Sequence, residues 1–190
     1  MEIIPAIIPK DSKDLKDKLE SVKEFAKTVH IDFTENLPLR GVPVGGGMFL
    51  EAHLMVTDPV ALIPSLVKDG FSRILIQVES VSAAAFAEII HEWRGAIEIG
   101  AALKIETPLE AIDSFAHELT TIQLMSIAHI GKQGEPFDER AIARVVALHA
   151  KCPHLTISVD GGVNKENAKR LAAAGATRLV VGSAFKEFYG

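Results

Sequence analysis

The sequence has few of the features that mark secreted, membrane-spanning or nucleic-acid-binding chains. Its 190 residues include one cysteine, Cys152, which cannot form an internal disulfide. No run reaches the roughly 18 apolar residues of a membrane span, and the first residues lack the basic and unbroken apolar segments of a signal peptide. There is no basic block, and the net charge is −5. We therefore expect a cytoplasmic protein that binds neither a membrane nor nucleic acid.

The sequence does contain a regular alternation of short β-branched runs and longer amphipathic runs. Apolar residues make up 48% and charged residues 24%, which is typical of a globular chain, and the length suits one domain over residues 1–190. The periodicity predicts eight strands and six helices. The predicted strands are residues 3–8, 29–33, 49–56, 73–78, 96–104, 121–127, 156–160 and 178–181, and the predicted helices are residues 11–27, 57–70, 82–93, 108–118, 138–150 and 165–174.

Alternating strands and helices without hairpin turns imply parallel strands, and eight such units indicate a closed (β/α)8 barrel. An open dinucleotide-binding sheet is disfavoured because no glycine follows the first strand. The barrel is trimmed in two places. Residues 34–48, with Gly45, Gly46 and Gly47, have no helical period, and only residues 184–190 follow Ser183. We expect the helix between strands two and three to be missing or irregular and the final helix to be short.

The missing helix leads to an expectation about assembly. Its loss would uncover the apolar outer faces of strands two and three, which comprise Val29, Ile31, Phe33, Leu50 and Leu54. A lone chain does not normally expose so large an apolar patch. We expect either a second subunit or the glycine-rich loop to cover it, and the first case makes the protein a homo-oligomer.

Four polar side chains are predicted to meet at one end of the barrel. His30 and Asp32 share the inward face of strand two, His53 lies on strand three and Asp160 ends strand seven. Two imidazoles and two carboxylates are a plausible ligand set for a divalent metal. Taken singly, a strand-end histidine is more simply a capped or solvated residue. Taken together, charges that face a barrel interior need partners or a cation.

Glycine-rich turns at the same end favour a phosphorylated ligand. Gly161 and Gly162 follow strand seven, and Gly182 and Ser183 follow strand eight. Loops at these two places commonly hold a phosphate in this fold. The loop from Gly131 to Gly134 after strand six is a candidate to close over it. A tight turn or a solvated loop remains the alternative for each.

Segments spread over nearly the whole chain resemble ribulose-phosphate 3-epimerase, a metal-dependent (β/α)8 enzyme family of the pentose phosphate network. The matching segments are His30-Ile31-Asp32, His53-Leu54-Met55, Thr107-Pro108-Leu109-Glu110-Ala111-Ile112, Met125-Ser126, Val159-Asp160-Gly161-Gly162-Val163 and Val181-Gly182-Ser183-Ala184. They occur in the order of that family, and as a set they are more specific than any one of them.

The resemblance implies a set of roles and an activity. One divalent ion, whether zinc, iron, manganese or cobalt, would be bound, and ribulose 5-phosphate and xylulose 5-phosphate would be interconverted by two-carboxylate proton transfer through a metal-stabilised enediolate. The implied metal ligands are His30, Asp32, His53 and Asp160, with Asp32 and Asp160 also as the acid and base. The implied phosphate contacts are Gly161, Gly162, Gly182, Ser183, Gly131 and Gly134, and the implied substrate contacts are Met55 and Met125.

Three departures from the family pattern leave the substrate open. Ala6 replaces the usual serine of strand one, Thr34-Glu35-Asn36 replaces Met-Asp-Gly, and residues 128–134 replace the usual loop after strand six. An epimerase of another sugar phosphate, such as a hexulose phosphate, is therefore one alternative. A non-catalytic sugar-phosphate-binding relative is the other.

Overall fold

The computed structural model of the chain describes residues 1–35, 47–132 and 134–188, and these form a closed barrel of eight parallel strands in chain order. Each strand pairs with its sequence neighbours, and β1 closes the barrel by pairing with β8. The predicted (β/α)8 architecture is confirmed. The strands are β1 Glu2–Ile7, β2 Thr28–Thr34, β3 Phe49–Met55, β4 Arg73–Gln77, β5 Glu98–Leu103, β6 Thr121–Met125, β7 Thr156–Asp160 and β8 Arg178–Val181.

Among the described residues, five α-helices and several 3₁₀ turns connect the strands on the outside of the barrel. Side-chain caps begin three of the helices, because the oxygens of Asp11, Ser82 and Asn164 accept hydrogen bonds from otherwise unpaired backbone N–H groups. The α-helices are α1 Ser12–Val22, α2 Ile63–Lys68, α3 Ala83–Trp93, α4 Arg140–Lys151 and α5 Lys165–Ala174. The 3₁₀ turns are Val60–Leu62, Val78–Ser80, Leu109–Ile112, Ala116–Glu118 and Phe185–Phe188.

Three predicted helices differ from the observed ones, and the first of them, predicted over residues 11–27, ends already at Val22. Residues 108–118 form two 3₁₀ turns and no α-helix, so that prediction was wrong. Their i to i+3 hydrogen bonds bring Ile112 and Phe115, three residues apart, to one buried side. The predicted helix over residues 57–70 is shorter, with one 3₁₀ turn before α2. The expected short final helix corresponds to the 3₁₀ turn Phe185–Phe188.

The apolar outer faces of β2 and β3 are covered within one chain. Val29, Ile31, Phe33, Leu50 and Leu54 are all buried, so of the two expected covers a second subunit is not required. Phe33, for example, packs edge-on against Phe71, with the two ring centroids 5.7 Å apart. Residues 36–46, the other predicted cover, lie outside the described residues.

The interior of the barrel is polar over part of its length, and this is what positions the site. Strand alternation turns one face of each strand inward. In β2 and β3 the register places His30 beside Glu51 and Asp32 beside His53. All four side chains are buried at these positions. The two strands therefore present a block of adjoining polar groups to the barrel axis.

Candidate active site

A cluster of two histidines and two aspartates lies at the carboxyl end of the barrel, where a (β/α)8 fold carries its sites. One ligand atom from each of His30, Asp32, His53 and Asp160 can be chosen so that all lie within 4.8 Å of one another. His30 Nε2 is 3.3 Å from Asp32 Oδ1, and His53 Nδ1 is 3.0 Å from the same oxygen. His30 Nε2 and His53 Nδ1 lie 3.8 and 3.7 Å from Asp160 Oδ2.

The other nitrogen of each ring is engaged away from the cluster. His30 Nδ1 lies 2.7 Å from Glu51 Oε1. His53 Nε2 lies 2.8 Å from the side-chain amide of Gln77. The amide oxygen of Gln77 accepts the Nε2–H of His53 in the orientation in which the Gln77 NH2 group donates to the Ala102 carbonyl and to Glu79 Oε2. These partners leave His30 Nε2 and His53 Nδ1 as the nitrogens that face the carboxylates.

This donor set fits a divalent metal ion. Imidazole nitrogens and carboxylate oxygens suit zinc, manganese and iron, and ligating histidines usually donate their second N–H to a neighbour, as these two do. His30 Nε2 is buried and has no hydrogen-bond partner among the described residues. A buried nitrogen without a partner beside two carboxylates is the arrangement that a cation satisfies. The cluster can therefore hold a metal ion.

The two aspartates are pushed towards opposite protonation states. Burial tends to raise the pKa of Asp32, but the adjacent His30 and His53 outweigh it and hold that pKa well below its usual range. For Asp160, burial and the charge of Asp32 raise the pKa to about 6. Burial would lower the pKa of His30, but Asp32 and Glu51 raise it to about 10. One carboxylate is thus firmly ionised while the other holds a proton more readily.

Asp160 is held in place by two residues, Gln123 on β6 and Ser126 directly after β6. Gln123 Nε2 donates to Asp160 Oδ2 at 3.0 Å. The Ser126 hydroxyl lies 2.9 Å from the Asp160 carbonyl oxygen and 2.6 Å from that of Gly161. These contacts fix both the carboxylate and the backbone turn that leads into the glycine loop.

A cavity of about 230 Å³ opens above the cluster, and loops after several strands form its wall. Asp32 and Asp160 reach its floor, whereas His30 and His53 are buried beneath. All the other residues named as contacts from the sequence also line it: Met55, Met125, Gly131, Gly134, Gly161, Gly162, Gly182 and Ser183. Gln133, between the two loop glycines, lies outside the described residues.

The glycines after β7 are required by the backbone. Gly161 and Gly162 have φ values of +110° and +63°, which side-chain-bearing residues rarely adopt. A Cβ on Gly162 would lie 2.7 Å from Phe137 N. The turn therefore brings the backbone of two loops close together at the rim of the cavity.

Several residues around the cluster were not identified from the sequence as functional. Gln77 and Gln123 contact His53 and Asp160, and Glu51 contacts His30. Each lies at an inward position of an otherwise largely apolar strand, which is the signal that could have identified it. Lys132 also lines the cavity, and it is the cationic side chain among the lining residues that the structure describes.

Comparison with known proteins points to one family. The chain is 29% identical to ribulose-phosphate 3-epimerase of Chlamydia trachomatis, over 97% of this chain and 86% of that protein. It is 29% identical to the cytoplasmic isoform of the same enzyme from Oryza sativa, over 96% and 86%.

A structural neighbour supports the fold. 3-Keto-L-gulonate-6-phosphate decarboxylase from Vibrio cholerae superimposes with a TM-score of 0.72 at 14% identity, covering 96% of this chain and 88% of that one. The family model described as the Ribulose-phosphate 3 epimerase family matches residues 2–186. With a match over nearly its full length, this chain belongs to the ribulose-phosphate 3-epimerase family.

Proposed function

We propose that the protein is a metal-dependent epimerase of a ketose phosphate, most readily of ribulose 5-phosphate and xylulose 5-phosphate. The observation that carries this proposal is the pair of aspartates, Asp32 and Asp160, on the floor of one cavity with pKa values displaced in opposite directions. Epimerisation beside a ketone removes a proton from one face of a carbon and returns one to the other face. Two carboxylates on separate strands, one firmly ionised and one that takes up a proton more readily, suit this exchange.

The two aspartates take complementary roles in this proposal. Asp32, held ionised by two histidines, accepts the proton from C3, and Asp160 donates one to the opposite face. In the reverse direction the roles exchange. Gln123 holds the Asp160 carboxylate by a 3.0 Å hydrogen bond and so fixes the position of the donor.

His30, Asp32, His53 and Asp160 would hold the metal, which we expect to be zinc, iron, manganese or cobalt. When bound, a divalent ion supplies Lewis-acid polarisation of the substrate carbonyl. Both histidines are fully buried, whereas Asp32 and Asp160 line the cavity, so substrate can reach these two of the four residues directly.

The phosphate end of the substrate is assigned to the glycine rim. Gly161, Gly162, Gly182 and Ser183 line one side of the cavity, and Gly131, Lys132 and Gly134 line another. Backbone N–H groups of glycine turns can approach a phosphate closely. Met55 and Met125 also line the cavity and would contact the carbon chain between the two ends.

Isotope exchange tests the proposal. The purified protein is incubated with ribulose 5-phosphate and each candidate metal in deuterium oxide, and NMR follows the substrate. We expect deuterium at C3 together with formation of xylulose 5-phosphate. If none of the metals gives deuterium at C3 or xylulose 5-phosphate, the proposed reaction is ruled out.

A hexulose phosphate is the second candidate substrate. A further cavity of about 360 Å³ shares Met55 with the first and offers room for a longer sugar. Ala6, in the wall of the main cavity, also leaves more space than a serine would. Faster exchange on a hexulose 6-phosphate than on ribulose 5-phosphate would favour this candidate. Phosphate-ester binding without exchange on either sugar would support a non-catalytic relative.

The helices, the net charge and the cysteine content bear on three further assignments: the membrane, nucleic acid and the cellular location. Among the described residues, no helix combines the length and apolar character needed to cross a membrane. The net charge of −5 and the lack of a basic block in the sequence argue against nucleic acid as the ligand. A cytoplasmic location is supported by the single cysteine and by the similarity to a cytoplasmic isoform from rice.

A further inference from the structure

A buried charged cluster lies directly behind His30, on the side away from the cavity. It contains Glu51 from β3, Arg73 from β4 and Arg178 from β8. Glu51 is 0% exposed, and the two arginine side chains are 13% and 6% exposed. None of the three lines the cavity above the aspartates, so substrate does not reach them.

Glu51 uses its two oxygens for different partners. Oε2 accepts from Arg73 Nη1 at 2.7 Å and from Arg178 Nη2 at 2.8 Å. Oε1 lies 2.7 Å from His30 Nδ1. A guanidinium has donors and no acceptor, so both arginines require Oε2 to act as an acceptor. Oε1 is then left free to accept from the imidazole.

This arrangement determines which nitrogen of His30 carries the proton. A neutral imidazole has one N–H and one lone pair. If Nδ1–H donates to Glu51, the lone pair is on Nε2, which lies 3.3 Å from Asp32 and 3.8 Å from Asp160. The lone pair therefore faces the proposed metal position.

We infer that Glu51, fixed by Arg73 and Arg178, is a positioning residue that holds His30 in the tautomer and orientation needed to bind the metal. This inference rests on the proposed function for the identity of the metal centre. The arginines act through Glu51, since they fix its carboxylate on the side opposite His30. Each arginine also has a second carboxylate nearby, since Arg73 lies 2.9 Å from Glu98 and Arg178 lies 3.6 Å from Glu2.

Glu51→Gln is the informative substitution because it keeps the size and reverses one hydrogen bond. The amide oxygen must turn towards the two guanidiniums, which only donate, and the NH2 group then faces His30 Nδ1. That group donates, so the imidazole proton moves to Nε2 and occupies the position of the metal. Loss of such a partner typically lowers metal affinity about 10- to 100-fold.

Glu98→Gln is the matched control. Glu98 shares Arg73 with Glu51, but it has no contact with His30 among its hydrogen bonds and ion pairs in the described residues. Both variants remove one carboxylate from the same charged cluster. Only the first should change the metal site.

The measurement is the affinity for Zn²⁺ and Co²⁺, obtained by competition with a chelator, with the Co²⁺ absorption spectrum as a second readout. We expect Glu51→Gln to bind each ion at least about tenfold more weakly with an altered spectrum, and Glu98→Gln to stay within about threefold of wild type. Excess metal should restore turnover to Glu51→Gln. An affinity for Glu51→Gln within threefold of wild type, or equal losses in the two variants, would overturn the inference.

Two further results keep the test decisive. If Glu51→Gln does not fold, Glu51→Asp answers the same question, because the shorter carboxylate stays with the arginines and withdraws from His30. It too should lose at least about tenfold in affinity, and no loss would overturn the inference. Wild-type protein that binds metal but does not exchange deuterium would overturn the proposed reaction alone, whereas wild type that binds no divalent metal would overturn both.

Discussion

Comparing Gly162→Ala with Gly95→Ala separates the effect of a close contact at the cavity rim from the general cost of a positive φ. Gly162 has φ +63°, and Gly95, far from the cavity in the turn between α3 and β5, has φ +86°. A Cβ on Gly95 would have no atom within 4 Å, whereas one on Gly162 would lie 2.7 Å from Phe137 N and 2.8 Å from Phe137 Cα. Alanine at either site would be strained by the positive φ, but only alanine at Gly162 would also clash with the backbone of Phe137.

The magnitudes follow from these contacts. A left-handed conformation costs alanine about 1–2 kcal/mol, and this is partly offset by the smaller entropy of the unfolded chain. Gly95→Ala should therefore lower the free energy of unfolding by about 1 kcal/mol. At Gly162 the Phe137 backbone must also retreat by about 0.7 Å to move from 2.7 Å to an ordinary 3.4 Å. Such overpacking adds about 1–3 kcal/mol.

The same displacement should appear in catalysis. Gly134 and Glu135 belong to the loop that leads to Phe137, and both line the cavity with Gly162. Misplacing a positioning group by about 1 Å can cost about 100-fold, so we expect Gly162→Ala to lose about tenfold or more in kcat/KM, mainly through KM. Urea unfolding and a coupled epimerase assay measure the two effects. Gly162→Ala and Gly95→Ala with kcat/KM values within twofold of each other would refute the reasoning.

Three further predictions concern the metal, the carboxylates and assembly. Asp32→Asn and Asp160→Asn should each lower the rate of C3 exchange by about 100-fold or more. His53→Ala should mainly lower the metal content. Exchange at the wild-type rate in either Asn variant would contradict the two-carboxylate scheme. Because the pKa of His30 is raised to about 10 in the metal-free protein, protons compete with metal below that pH, and affinity should rise about tenfold per pH unit between pH 7 and 9. Below about pH 6, where Asp160 also takes up a proton, the dependence should steepen; an affinity independent of pH by chelator competition would contradict both statements. The homo-oligomer expected from the sequence stays a prediction, but the outer faces of β2 and β3 do not supply its interface because they are buried within one chain. A monomer by light scattering at micromolar concentration would exclude it.

The sequence was sufficient for the fold because the relevant signals are local. Alternating apolar runs predict all eight strands, and caps such as Asn164 and the positive-φ Gly175 mark both ends of α5. Residues 108–118 show the limit of that approach. Buried residues spaced three and four apart suit an α-helix and successive 3₁₀ turns equally well, and only packing against the barrel distinguishes them.

For the site, the sequence predicts the four main residues but not the partners that orient them. Inward-facing His30, Asp32 and His53 follow from strand alternation, and Asp160 follows from its place at a strand end. The partners that select the ring nitrogens do not follow, because they depend on the register between strands. Glu51 lies next to His30 only because β2 and β3 pair with residues 30 and 51 opposite each other. Gln77 reaches His53 diagonally, because β3 and β4 pair with residues 53 and 75 opposite each other and Gln77 lies two residues further along β4.

The distribution of charge along the barrel axis explains why the proposed cation would lie at the carboxyl end. Towards the amino end, Arg73 and Arg178 lie among Glu2, Glu51 and Glu98, so the arginines offset most of the negative charge. At the carboxyl end, Asp32 and Asp160 have no arginine or lysine among the ion-pair partners found in the described residues, and their neighbours there are the two histidines. A histidine that binds a metal must give up its extra proton, so it cannot neutralise these aspartates at the same time. Two buried carboxylates without a permanent cation are costly, and one divalent ion at this position supplies the missing charge.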